Sequence, residues 1–307
     1  MTFSLGNFEL FKRIKHSIVS VSDNQMASYL FFITLFSRIV YALIFYFTHP
    51  IPSTNAYYEI ANIILEQKKF FYYTGSPYYE SAGPFLPMLN ALTMLIFGKN
   101  YLGLYLVTAL ASALVTFFTY KTARFFLDKP LSVVIGLWSA FYFFYFYFTP
   151  SPGKDTWMAF FMIFLVHEML VLFVNRHFTW WRYLLFIAAY VISFHLDERY
   201  FVFLPFIGLY ILFWETQGFK KLSILKTLSF SLLVLLLMAP WAIRNYRVHG
   251  KVVIISTRTE VFTDPFFGYQ SREHMLDKYN NVFGFYYLRE NQIDSVAAGL
   301  KTHTDMG

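Results

Sequence analysis

Long apolar runs alternate with short polar gaps along this chain, near 29-48, 101-120, 131-148, 156-174, 183-196, 200-215 and 227-243. Each run is close to the ~20 residues that cross ~30 Å of hydrocarbon as a helix. A helix satisfies all of its own backbone polar groups, so it can stand in lipid where an open strand cannot. The pattern predicts an all-α fold, a polytopic transmembrane helix bundle of about seven spans. One apolar stretch departs from it. Residues 84-98 are short for a span, carry Pro84 and Pro87 early and end at Gly98. If they crossed, every later gap would change sides, so they are read as a juxtamembrane or re-entrant helix.

That reading leaves a long first outer loop, 49-100, far beyond an ordinary connection and therefore a place to look for function. Within it Tyr57, Ile60, Ala61 and Ile64 recur at helical spacing, the stripe of an amphipathic helix lying in the interface. Three regions follow: a cytoplasmic N-terminus over 1-28, a transmembrane domain over 29-247, and a small extracytoplasmic C-terminal segment over 248-307. The run Phe141-Tyr142-Phe143-Phe144-Tyr145-Phe146-Tyr147-Phe148 reads as a lipid-facing helix whose hydroxyls approach the headgroups.

Charge gives the bundle a direction. Lys12, Arg13 and Lys15, then Lys121, Arg124 and Lys129, then Arg176 and Arg182, then Lys220, Lys221 and Lys226 fall in every second gap, as cytoplasmic loops should. The intervening gaps hold Glu59, Glu66 and Glu80, then Asp155, then Asp197-Glu198-Arg199, then Trp241 and Arg244. A composition of 57% hydrophobic and 14% charged residues excludes a soluble domain of this length. The net charge of +7 sits beside apolar runs, which favours membrane lipids as partners and not nucleic acid. There is no cysteine, hence no disulfide and no thiolate metal site. The first apolar run is too long for a cleaved signal peptide.

The polar gaps supply the candidate chemistry. Asp155 follows Lys154 at a predicted helix start, where it is either a charge favoured by the helix dipole or a carboxylate able to orient or deprotonate a substrate hydroxyl. Arg199, in a short turn with Asp197 and Glu198, either closes a local ion pair or offers its planar fork to a phosphate. Arg244 leaves the last span beside Trp241 and Tyr246, as a snorkelling anchor or a phosphate contact. Arg38 and Glu168 fall inside spans and each needs a partner or a wet cavity; they could pair with each other, or line the path of a small transporter. The eight histidines show no metal-ligand spacing, and no phosphate-binding loop, dinucleotide fingerprint or nucleophile elbow is present.

In order along the chain, Tyr57-Tyr58-Glu59-Ile60-Ala61, Gly83-Pro84-Phe85-Leu86-Pro87 with Phe97-Gly98, Lys154-Asp155, Arg199, and Pro240-Trp241-Ala242-Ile243-Arg244-Asn245-Tyr246 together resemble the GT-C type glycosyltransferases that use polyprenyl-phosphate sugars. Protein O-mannosyltransferases and the aminoarabinose transferases of lipid A are of this kind. The resemblance implies transfer of a sugar, with inversion, from an isoprenoid phosphate carrier to a lipid, glycan or protein acceptor outside the cytoplasm. The outer face is that of a bacterial periplasm or of an organelle lumen; with no targeting extension in the sequence, the default expectation is a bacterial inner membrane with the working face periplasmic. No cofactor is expected, because the carrier brings its own leaving group; metal dependence stays open. The implied catalytic carboxylates are Asp155, Glu59 and Glu80, and the implied substrate contacts are Lys154, Arg199, Arg244, Tyr57 and Asn55.

Two departures qualify that resemblance. The family places an acidic residue just before the first-loop tyrosine, where this chain reads Pro52-Ser53-Thr54-Asn55-Ala56, and neither Ser53 nor Asn55 is a base near neutral pH. Either another carboxylate takes over, or the reaction needs little base, or the protein is a non-catalytic binder of lipid-linked sugar. Members also continue into further spans and a larger outer domain, so the chain ending at Gly307 is read as a truncated product.

Overall fold

A computed structural model describes residues 18–49, 56–68, 83–151, 153–174, 177–214 and 221–249. Ser53, Asn55, Glu80 and residues 250–307 of the C-terminal segment lie outside them. The described residues are helical, without strands. In chain order the helices are α1 (Asp23–Thr48), α2 (Ala56–Gln67), α3 (Phe85–Phe97), α4 (Tyr101–Ala123), α5 (Lys129–Phe141), α6 (Phe143–Tyr147), α7 (Asp155–Met169), α8 (Trp180–Leu196), α9 (Phe203–Trp214) and α10 (Lys221–His249). A π-helical turn, Leu170–Val174, extends α7, and a 3-10 turn, Glu198–Val202, leads into α9.

Local sequence explains where these helices begin. Ser22 and Gln25 form a reciprocal capping box on α1. The side chains of Asn100, Asp128 and Thr179 accept from the first-turn amides of α4, α5 and α8, each satisfying a donor that has no partner in the helix. At the far end of α3, Gly98 takes φ 83° and turns the chain into the Asn100 cap.

Among the described residues five segments are long and apolar enough to cross a membrane: α1, α4, α5 with α6, α7 with its π turn, and Ser223–Arg247 of α10. The apolar helices α8 and α9 are shorter. Side-chain contacts define the two ends of the bundle. At one, Tyr120 of α4 and Arg124 at its C-cap donate to Asp23 of α1 at 3.0 and 3.2 Å, and Lys121 donates to Asn24 at 2.8 Å. His167 of α7 lies against Phe125, and the Tyr183 hydroxyl of α8 donates to the Lys226 carbonyl of α10. This end carries the basic gaps. At the other, Phe45 stacks on His49 and meets Tyr105, while His195 of α8 lies 6.4 Å from Trp241 of α10.

Both α2 and α3 belong to this second end. Gly83, just before α3, abuts the His195 carbonyl, and Phe97 at its finish abuts Gly103 of α4. Tyr58 of α2 stacks on Tyr101 at 4.3 Å and donates to the Lys99 carbonyl. On α2, Ile60 and Ala61 are buried and Tyr57 and Ile64 pack against neighbouring clusters, the face that the sequence stripe marks.

Lipid removes the hydrophobic drive between helices, so their association rests on close packing and polar contacts. The α4 helix buries Thr108, Ala109, Ala111, Ser112, Ala113 and Thr116, small side chains that let neighbouring backbones approach. Outward-facing Phe32, Phe36, Phe47, Leu232, Leu235 and Leu236 stay exposed, as suits a lipid-facing surface. The largest buried cluster runs from Leu86 and Trp157 through Tyr183, Phe186 and Tyr190 to Phe230 and Met238.

Two expectations change. The run over 131-148 is not one helix: at Tyr142 the backbone turns extended, φ −64°, ψ 124°, separating α5 from α6. Arg38 and Glu168 do not pair. Arg38 is wholly buried, donating to Ser112 Oγ at 3.1 Å and the Ala140 carbonyl at 2.7 Å, with its guanidinium 3.4 Å from the centre of the Phe146 ring. Glu168 meets Arg182 at 3.5 Å.

Candidate functional site

At the end opposite the basic gaps, two of the candidate residues, Lys154 and Arg199, converge on the carboxylate of Asp197. Asp197 caps the C-terminus of α8 and is 5% exposed. Its Oδ1 accepts from the Arg199 amide at 3.0 Å and from Arg199 Nε at 2.8 Å, and its Oδ2 accepts from Arg199 Nη2 at 2.9 Å. The Lys154 ammonium, arriving 43 residues earlier in the chain from the start of α7, donates to the same Oδ2. Burial alone would raise the Asp197 pKa, but the hydrogen bonds and charges of Arg199 and Lys154 outweigh it and hold the carboxyl well below the usual range.

Two tyrosines hold these segments in register. The Tyr200 hydroxyl donates to the Met158 carbonyl of α7 at 2.6 Å, and Tyr190 of α8 donates to the Tyr200 carbonyl at 2.8 Å. The geometry realises the local ion pair for Arg199, yet that side chain remains 67% exposed. Part of its fork therefore faces outward while Asp197 fixes its plane.

Asp155 stands exposed at the first position of α7, directly after Lys154. Phe85 of α3 packs edge-on against Trp157 and Phe161 on the same helix, at 5.7 and 5.5 Å. Across the end of the bundle, the Arg244 guanidinium lies 4.9 Å from the centre of the Trp241 ring and donates to Asn245 Oδ1 at 3.0 Å. Glu59 is half-buried on α2, and Tyr57 packs against the main cluster. The structure thus brings Lys154, Asp155 and Arg199 onto adjoining helix ends, and sets Glu59, Tyr57 and Arg244 on other elements of the same end. Glu80 and Asn55 are outside the described residues.

Asp197 was legible as part of an acidic-basic triplet in a short gap, but nothing in the sequence indicates that Lys154 reaches it. The role of Gly83 was equally hidden. A Cβ built there would stand 1.9 Å from the His195 carbonyl oxygen, so only glycine allows the segment before α3 to touch the end of α8. Among the described residues no group of three or more His, Asp or Glu side chains could hold a metal ion.

A family model described as dolichyl-phosphate-mannose-protein mannosyltransferase matches residues 81–243, just over half of the chain. The chain belongs to this mannosyltransferase family. It is accordingly a multi-pass membrane glycosyltransferase of the GT-C type, and the family implies a lipid-linked sugar donor and an acceptor. For this mannosyltransferase-family chain, the matched region takes in α3 through most of α10, with Gly83, Lys154, Asp155, Asp197, Arg199 and Trp241; α2 and Arg244 fall outside it. Neither a curated protein nor a solved structure matches the chain.

Proposed function

We propose that the protein transfers a sugar, with inversion, from a polyprenyl-phosphate carrier to a lipid, glycan or protein acceptor, at the bundle end where Lys154, Asp155 and Arg199 meet. The observation that carries this reading is the fixing of two cations on the buried Asp197 beside the exposed Asp155. Asp155 takes the proton of the acceptor nucleophile as it attacks the anomeric carbon. The bond from that carbon to the phosphate oxygen breaks, and its electron pair leaves with the polyprenyl phosphate. Arg199 and Lys154 stabilise the negative charge that grows on that oxygen, an interaction worth most in the transition state. Because Asp197 already orients them, they need no reorganisation when the charge appears.

Arg244, beside Trp241, lies at the same end as a further phosphate contact, and Glu59 is the other candidate catalytic carboxylate there among the described residues. In this reading the end opposite the basic gaps is the extracytoplasmic one and the N-terminus is cytoplasmic, as the side of the Lys and Arg clusters supports, and the membrane is taken to be a bacterial inner membrane. No cofactor takes part in the proposed reaction.

Purified protein in detergent, offered labelled polyprenyl-phosphate sugars with membrane lipid and glycan extract, should form labelled product. Asp155→Asn and Arg199→Ala should not. Carrier binding without product from the wild type would replace transfer by binding of the lipid-linked sugar, the alternative raised by Ser53 and Asn55.

A further inference from the structure

The bundle also has a built cavity at its other end. Its volume is about 460 Å³, and Lys121, Arg124, His177, Arg182, His167 and Asp23 contribute to its wall. These residues come from the N-terminus of α1, the C-terminus of α4 and its C-cap Arg124, the second half of α7, the stretch before α8 that holds His177, and the start of α8. Asp23 is shared by Arg124 at 3.2 Å and Lys129 at 3.8 Å, and Glu168 faces Arg182. Lys121, by contrast, donates to the neutral Asn24 at 2.8 Å, so the wall keeps a surplus of positive charge. His167 is 4% exposed and its buried Nδ1 has no hydrogen-bond partner, although an unpaired polar atom at such a site is costly. Phe125 and Val171 complete the lining with apolar surface.

We propose that this cavity binds the phosphate headgroup of an anionic membrane lipid. Three features point to a lipid. The cavity opens among helix ends on the side of the basic gaps, where anionic headgroups concentrate beside Lys and Arg. Its lining combines cations with Phe125 and Val171, matching a phosphate joined to a glycerol and the start of acyl chains. The exposed Trp180 and Trp181 at the start of α8 mark that end as one meeting the membrane interface. The site lies at the opposite end from the transfer residues, and its test does not depend on turnover.

The test is native mass spectrometry of the delipidated full chain offered equal amounts of phosphatidylglycerol and phosphatidylcholine. Phosphatidylglycerol should be retained preferentially by the wild type, and about fivefold less in Lys121→Gln or Arg182→Gln, the loss expected for one cation near a headgroup. Because Arg182→Gln also strips Glu168 of its partner, the Lys121 variant carries the test if the other does not fold. Lys99→Gln, at the opposite end and paired with Glu66, should retain the lipid fully. Equal retention of the two lipids by the wild type, an unchanged preference in Lys121→Gln, or an equal loss in Lys99→Gln would overturn the proposal. Inorganic phosphate forms a second arm: persistence of the lipid in its presence supports a headgroup site, whereas phosphate bound in place of the lipid transfers the site to a soluble anion.

Discussion

The guanidinium of Arg38 on α1 donates at 2.7 Å to the Ala140 carbonyl on α5, two residues before the backbone turns at Tyr142. The turn takes that carbonyl out of the regular helical ladder, and in a bundle interior an unmatched carbonyl costs roughly 1–3 kcal/mol. Arg38 supplies the missing donor and, through Ser112, ties the turn to α4. Arg38→Leu should therefore lower the unfolding midpoint in detergent substantially, by the equivalent of about 2–3 kcal/mol. Arg38→Lys should recover little, because a single ammonium lacks the planar fork that meets Ser112 and Ala140 together. Scanning fluorimetry of the two variants measures both effects, and full recovery by lysine would show that charge alone suffices there.

A second prediction concerns Asp197 and pH. Its folded pKa is depressed, so it contributes stability that is fully present above the unfolded carboxylate value of about 3.9 and is lost as pH falls toward the folded value. Between pH 8 and 5 this contribution should be flat. Removing one partner of a fully buried pair costs about 3–5 kcal/mol. Here Arg199 can return to solvent, so Asp197→Asn should cost less, about 2–3 kcal/mol at pH 7. The gap between variant and wild type should shrink as the wild type is acidified below pH 4. A gap that instead widened in acid would show that Asp197 is not ionised in the folded protein.

How far the sequence reaches can be judged from these residues. The α2 stripe and the end of α3 at Gly98 follow from local periodicity and side-chain chemistry, and they reappear in the structure. The partners of Arg38 and Glu168 do not follow, because they depend on which helices become neighbours. Composition left them as two charges of opposite sign seeking partners; packing put Arg38 against α4 and α5, and Glu168 against Arg182. The turn at Tyr142 escaped for a related reason. An unbroken aromatic run contains no proline or glycine to announce it, and the donor that makes it tolerable comes from α1. At the candidate site Lys154, Asp155 and Arg199 were visible as residues, whereas Asp197 as the common anchor of Lys154 and Arg199 required the third dimension.

Gly83 offers a test of whether the segment before α3 must touch α8. A methyl group there would overlap the His195 carbonyl, which is backbone and cannot rotate away, so Gly83→Ala has to separate the two segments. Overpacking of this kind costs about 1–3 kcal/mol. The helix that follows carries Phe85 against Trp157 and Phe161, one helical turn or so beyond Asp155. Gly83→Ala should consequently reduce sugar transfer more than stability. A control, Gly208→Ala, meets only Thr227 Cγ2 at 3.8 Å and should be silent in both measurements. Unchanged transfer in Gly83→Ala would separate the α3 contact from the reaction.

The sharpest separation of roles is available at Asp155. As a helix N-terminal charge alone, its replacement by asparagine should cost about 0.3–1 kcal/mol and leave turnover intact. As the base of the proposed transfer, the same change should lower turnover by roughly 10²–10⁴-fold, with the midpoint almost unmoved because the side chain is exposed. The two roles therefore differ in which measurement responds. Glu59→Gln run in parallel identifies the alternative carboxylate at that end of the bundle. Loss of transfer in Asp155→Asn with carrier binding retained assigns the proton transfer to Asp155; loss only in Glu59→Gln moves it to α2. Activity surviving in both would mean that the phosphate leaving group, held by Lys154 and Arg199, departs without either carboxylate's help, and Arg199→Ala should then be the more damaging substitution.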